Sequence, residues 1–199
     1  MKIVVLVEGK TEIALRTKLN EFINDRLKLE NKSRIGIDTK SFKGTPDCDQ
    51  IKDRVEMNLN NPDVIAVVGL LDVYPNFKSA GETKNFLRDC VGDEPRFYPH
   101  AAQFDFEAWL MPFWDDICRK LKINKKSPGA NPEQINLNKP PSKYLEELYR
   151  LAKSRYKYDK IRDAYSILKD KDLTYSAKQC TELKSFLNTL LNCVGLNPI

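Results

Sequence analysis

Two unbroken apolar runs, residues 2–7 (KIVVLV) and 63–71 (DVIAVVGLL), have strand length and are rich in β-branched side chains. Runs of that kind predict strands buried on both faces of a sheet. The first ends at Glu8-Gly9, after which Leu15, Leu19, Phe22, Ile23 and Leu27 take up helical spacing from Thr11 onward, with Glu12 in the first turn. A short strand is expected near Arg34–Phe42, and Thr45-Pro46-Asp47 reads as a helix start with Pro at the first helical position and Ile51, Val55 and Leu59 on one face. Asn60-Asn61-Pro62 stops that helix, and the second apolar run ends at Asp72. A helix around Ser79–Cys90 and a strand around Arg96–Ala102 complete a β-α-β-α-β-α-β alternation. Such alternation predicts an α/β fold with a parallel sheet covered by helices, whose ligand site lies beyond the carboxyl ends of the strands. Glu8 and Asp72 fall at those ends.

The second half reads as helical. Phe104–Leu121 carries Phe106, Trp109, Leu110, Phe113, Trp114 and Ile117 at helical intervals, with Pro112 expected to split it, and this stripe reads as core. Residues 124–141 are rich in Asn and Pro and read as a loop. Ser142–Arg155, Asp159–Lys169 and Ser176–Val194 are amphipathic, with Gly195 as a terminal cap. The expected organisation is an α/β domain over residues 1–112 and a helical extension over 113–199 packed on it. There is no internal repeat or low-complexity tract.

A chain of 199 residues with 41% hydrophobic and 31% charged positions is ordinary for a globular protein. It has no apolar window long enough for a membrane-spanning helix, and Glu8 and Lys10 follow the Met1–Val7 run too closely for a signal peptide. Five dispersed cysteines (Cys48, Cys90, Cys118, Cys180, Cys193) with no C-x-x-C pair argue against a disulfide framework and a zinc ribbon. Idle thiols in a reducing, cytoplasmic setting are expected. The net charge of +5 divides unevenly: −4 over residues 1–118 and +9 over residues 119–178. That asymmetry fits either a catalytic domain beside a phosphate-binding surface or simply solvated helix faces.

Gly9-Lys10-Thr11 follows a strand and opens a helix, but a phosphate-binding loop also needs a glycine where Val4 stands. The segment instead offers two carboxylates, Glu8 and Glu12, around a tight turn, with Asp72 arriving from a neighbouring strand. Converging carboxylates repel unless protonated or neutralised, and a hard divalent cation is their natural neutraliser.

Val7-Glu8-Gly9-Lys10-Thr11-Glu12 and the aspartate after the later strand are similar to the Toprim domain of topoisomerases, primases, ribosomal-RNA maturases and overcoming-lysogenization-defect nucleases. A closer resemblance is to the Toprim-related domain-of-unknown-function family 4276, carried by V-E-G-x-T-E, by Asp72-Val73-Tyr74 and by Phe106-Glu107-Ala108-Trp109-Leu110. The resemblance implies a Toprim/Rossmann-like parallel sheet flanked by helices, followed by a C-terminal helical region. It implies Glu8 as general acid or base with Glu12 beside it, Asp72, Glu107 and Glu8 as ligands of Mg²⁺ or Mn²⁺, and a nucleic-acid substrate, DNA ahead of RNA. It also implies an ABC-type ATPase as partner, in phage defence or DNA repair. The chain departs from the general Toprim pattern D-x-D in having Tyr74 at the second aspartate's place, where Glu107, with Asp105, would restore the missing carboxylate.

Further phosphate or nucleic-acid contacts are expected from Lys10, Tyr74, His100, Lys143, Arg150 and Arg155, the last three within a basic segment, Lys139–Lys171, that interleaves Tyr144, Tyr149, Tyr156, Tyr158 and Tyr165. His100 also reads as a structural hydrogen-bonder. Three functions follow: a metal-dependent nuclease, a non-catalytic module that regulates an ATPase, and an RNA-processing enzyme.

Overall fold

The computed structural model of the chain describes residues 1–9, 14–135, 139–152 and 157–199. Strands β1 (Lys2–Val7), β2 (Gly36–Ser41), β3 (Val64–Asp72) and β4 (Phe97–Ala102) form one parallel sheet in the order β2-β1-β3-β4. The two continuous apolar runs are thus its central strands. Ile3, Val5 and Val7 of β1 enter a core shared with helix α1 (Leu15–Leu29), whereas Val4 and Leu6 face α2 (Cys48–Leu59) and α3 (Ala80–Val91). Burial on both faces explains why neither strand alternates polar with apolar positions. On the α3 side the Phe97 ring lies over Gly69, where a Cβ would come within 3.0 Å of it and 3.3 Å of Leu87.

Helix α2 begins two residues later than the sequence suggests. Asp47 caps it, accepting from the Gln50 N–H at 2.8 Å while the Gln50 side chain accepts from the Asp47 N–H, so Pro46 precedes the helix. This reciprocal pairing satisfies two amides that a proline at the first position would leave to solvent. Ser79 caps α3 in the simpler way, through the Glu82 N–H.

The apolar stripe after β4 is not one helix. Residues Phe106–Phe113 form a 3₁₀ helix containing Pro112, and α4 (Trp114–Leu121) follows. Its Phe106 and Trp109 are fully buried, and the Trp109 indole stacks on Phe186 at 5.7 Å. Around it pack α5 (Pro141–Leu151), α6 (Lys160–Leu168), α7 (Leu173–Ala177) and α8 (Thr181–Cys193). The single helix expected over Ser176–Val194 is therefore two elements. They part at Lys178–Cys180, where the Ser176 hydroxyl donates to the Trp109 carbonyl at 2.6 Å and Glu133 receives the first amides of α8. Gly195, at φ 65°, ends α8. One hydrophobic cluster joins residues of β1, β3, α1, the 3₁₀ helix and α4–α8.

The cysteines also depart from expectation. Cys48 and Cys90 form a disulfide across neighbouring helices, while Cys118, Cys180 and Cys193 remain thiols. Their separation of 42 residues carries no signal, because α2 and α3 become neighbours only by packing on the same sheet face. Among the described residues no helix is long and apolar enough to cross a membrane.

Candidate active site

The parallel register aligns Val7 with Leu70 and Asp72 with Ala102, so the carboxyl ends of β1, β3 and β4 open on one edge. Glu8 leaves β1 there, and its carbonyl accepts from the Gly44 N–H at 3.0 Å and the Ser41 hydroxyl at 3.2 Å. Its Oε1 accepts from the Thr45 hydroxyl at 2.7 Å, and the Asn76 side-chain amide donates to that hydroxyl at 3.0 Å. The Thr45 hydroxyl thus orients the carboxylate, leaving Oε2 enclosed and without a hydrogen-bond partner among the described residues.

A second group forms around Asp72. The Val73 and Tyr74 amides donate to the Ala102 and Phe104 carbonyls, keeping the chain after β3 paired with the chain leaving β4. Phe104, at φ 69°, then turns the backbone so that the Phe106 N–H donates to Asp72 Oδ1 at 3.0 Å. Two further carboxylates stand in that turn. Asp105 is 3% exposed and accepts from the Ser142 N–H at 3.1 Å through Oδ2, while its Oδ1 has no hydrogen-bond partner among the described residues. Glu107 is 0% exposed, with Lys160 Nζ 3.4 Å from its Oε1 and the Tyr158 hydroxyl donating to the same oxygen at 3.4 Å.

Burial pushes the Asp105 carboxyl above the usual carboxylate range, against the Ser142 hydrogen bonds and the Lys160 charge. For Lys160 burial favours the neutral amine, but Glu107, Asp105 and Asp72 outweigh it and hold the ammonium above its ordinary pKa. Burial and the Glu107 and Asp105 charges likewise raise the Tyr158 phenol, which stays a donor.

The sequence predicts one convergent set of carboxylates, and the structure forms two arrangements. Glu8 is held by Thr45, which Asn76 supports in turn, whereas Lys160 feels the charges of Glu107, Asp105 and Asp72. Glu12, Lys10 and Arg155, expected to contribute, lie outside the described residues, as does Tyr156. Tyr74 is 45% exposed beside this edge.

His100 lies inside β4, paired with Leu70. Its Nε2 lies 2.9 Å from the Thr189 hydroxyl and its ring meets Phe186 edge-on, beneath α8. Burial, helped by Lys84, lowers its pKa to about 3. It is one of the two readings offered by sequence, the structural one.

In the basic segment Lys143 pairs with Glu146 at 2.9 Å, Lys139 with Glu147 at 2.6 Å and Arg162 with Asp163 at 2.8 Å. Tyr149 is buried against Tyr158, and Tyr165 is exposed, as is Arg150. Much of the expected basic, aromatic surface is therefore helix packing and local ion pairs.

Thr45, Tyr158 and Lys160 are the residues that the sequence does not single out for this site. Lys160 lies in a lysine-rich stretch, and nothing in its spacing distinguishes it from its neighbours.

The donors at this edge are carboxylate oxygens, which suit a hard divalent cation in kind. The enclosed oxygens of Asp105 and Glu8 that have no hydrogen-bond partner among the described residues are consistent with such a demand. Among the described residues, however, no three His, Cys, Asp or Glu side chains gather as a metal-holding group.

A parallel sheet with acidic residues at the carboxyl ends of its central strands, closed by helices, is a Toprim-like α/β domain. The C-terminal region of the Burkholderia pseudomallei OLD protein has a similar fold, with a TM-score of 0.53 at 14% identity over 97% of this chain and 98% of that one. The C-terminal region of the Xanthomonas campestris pv. campestris OLD protein aligns with a TM-score of 0.45 at 16% identity, over 94% and 97% of the two chains. No curated protein matches the sequence. The family model described as a domain of unknown function, DUF4276, matches residues 7–191, and the chain belongs to that family.

Proposed function

We propose that the protein is a Toprim-type hydrolase of nucleic-acid phosphodiesters, DNA ahead of RNA, serving as the effector of a defence or repair assembly with an ABC-type ATPase. The observation that supports this reading is that Glu8 and Asp72 follow or end the neighbouring parallel strands β1 and β3 at their carboxyl ends. Asp72 and Glu107, with Asp105 behind them, would hold Mg²⁺ or Mn²⁺. A bound divalent ion neutralises phosphate charge and lowers the pKa of bound water. The protein's own share is to orient Glu8 through Thr45, so that Oε2 gives or takes a proton, and to keep the acidic side chains aligned by the Phe106 and Ser142 amides. Tyr74, exposed at the rim, would meet a base or sugar.

The test is cleavage of plasmid DNA and of structured RNA in Mn²⁺ by the wild type and Glu8→Gln. The variant should keep its fold and lose at least about 100-fold in rate, the ordinary contribution of a proton-transfer group. Equal rates would sink the assignment of Glu8.

A second reading, a non-catalytic module that regulates the ATPase, is favoured by Tyr74 at the second aspartate's place and by the Lys160 pairing with Glu107. Under that reading, stimulation of the partner is unchanged in chelator.

A further inference from the structure

Lys160 enters the acidic pocket from outside. Its side chain is 48% exposed, yet its ammonium stands 3.4 Å from a carboxylate that is 0% exposed. A long apolar stem at the surface with its charged end directed inward can swing out without unpacking the core. The entry to α6 steers it. Asp159 caps the helix by accepting from the Arg162 N–H at 2.7 Å, and Asp163 receives the Asp159 N–H at 2.8 Å. Tyr158, packed against Tyr149, places its hydroxyl on the oxygen that Lys160 faces. One short segment thus delivers both a neutral donor and a positive charge to Glu107. Asp105, nearly fully buried, has one oxygen without a hydrogen-bond partner among the described residues.

We propose that Lys160 is the resident counter-ion of the Asp72–Asp105–Glu107 pocket, and that a divalent cation enters only by displacing it. The inference rests on the metal reading set out above. Two positive charges beside the same enclosed carboxylate repel each other strongly at low dielectric. Swinging Lys160 outward would free the carboxylates and also present its ammonium at the rim, where a phosphate would arrive. Metal loading and substrate arrival would then be coupled through one side chain, and the isolated protein would hold metal weakly.

The experiment is a calorimetric Mn²⁺ titration of the full chain as wild type, Lys160→Met, Lys160→Gln and Tyr158→Phe, each checked for folding by circular dichroism. Both lysine variants should bind Mn²⁺ about tenfold or more tightly than the wild type, a gain larger than any made by Tyr158→Phe, which keeps the ammonium. Lys160→Gln retains length and polarity, so it covers a failure of the methionine variant to fold. Equal or weaker affinity in the lysine variants, including no binding by any form, overturns the proposal. Tighter Mn²⁺ binding without any cleavage of nucleic acid would instead count against the nuclease reading and leave the counter-ion standing.

Discussion

At the scale of single residues, the informative side chains are those whose charge is decided by enclosure. His100 sits neutral beneath α8, with a folded pKa of about 3 against an ordinary value near 6.5. Unfolded chains therefore bind a proton that the folded protein refuses. Stability from this site is fully present above the unfolded value and is lost as pH falls from about 6.5 toward about 3. Between neutral pH and about pH 5 the loss should be on the order of 1–2 kcal/mol. Urea midpoints of the wild type and His100→Gln across that range would check it: the variant should show the shallower pH dependence. Glu8 illustrates the other case, a carboxylate legible in the sequence as the end of a strand. Its orienting partner, Thr45, was legible only as part of a helix start, because the hydrogen bond joins segments distant in the chain.

At the scale of elements, legibility followed periodicity. The central strands and the faces of α1 and α2 could be read because burial imposes a repeat on their sequence. The stretch after β4 could be read as helical and split near Pro112, but not as 3₁₀, since its residues are apolar at almost every position. The junction between α7 and α8 is fixed by the Trp109 carbonyl and the Glu133 carboxylate, partners remote in sequence. Packing between elements makes two predictions. Gly69→Ala should destabilise the protein by about 1–3 kcal/mol, because the added carbon meets Phe97 and Leu87 in a filled layer. A lower thermal midpoint is the expected readout, and an unchanged one would mean that the Phe97 ring yields easily. Cys90→Ser, or reduction of the wild type, should lower stability by about 2–4 kcal/mol by releasing the chain between α2 and α3. Denaturant curves with and without reductant would measure it, and the serine variant should be insensitive to the reductant.

At the scale of the whole molecule, one core ties the sheet to the later helices, and the candidate site lies where both meet. The sequence placed Glu8 and Asp72 on one edge through the logic of parallel sheets, and the resemblance supplied Glu107. The counter-charge from α6 was beyond reach, since its position depends on how the helices after β4 wrap the sheet. The strand order also governs how the protein is made. In chain order β1 is complete before either strand that flanks it, and its second neighbour, β3, is translated only after β2 and α2. A nascent chain therefore carries a highly apolar strand with an open edge until β3 has been synthesised, a hazard for aggregation. The acidic pocket inherits the same schedule: Asp72, Asp105 and Glu107 all leave the ribosome before Lys160, so the crevice is at its most negative while the protein is still being born.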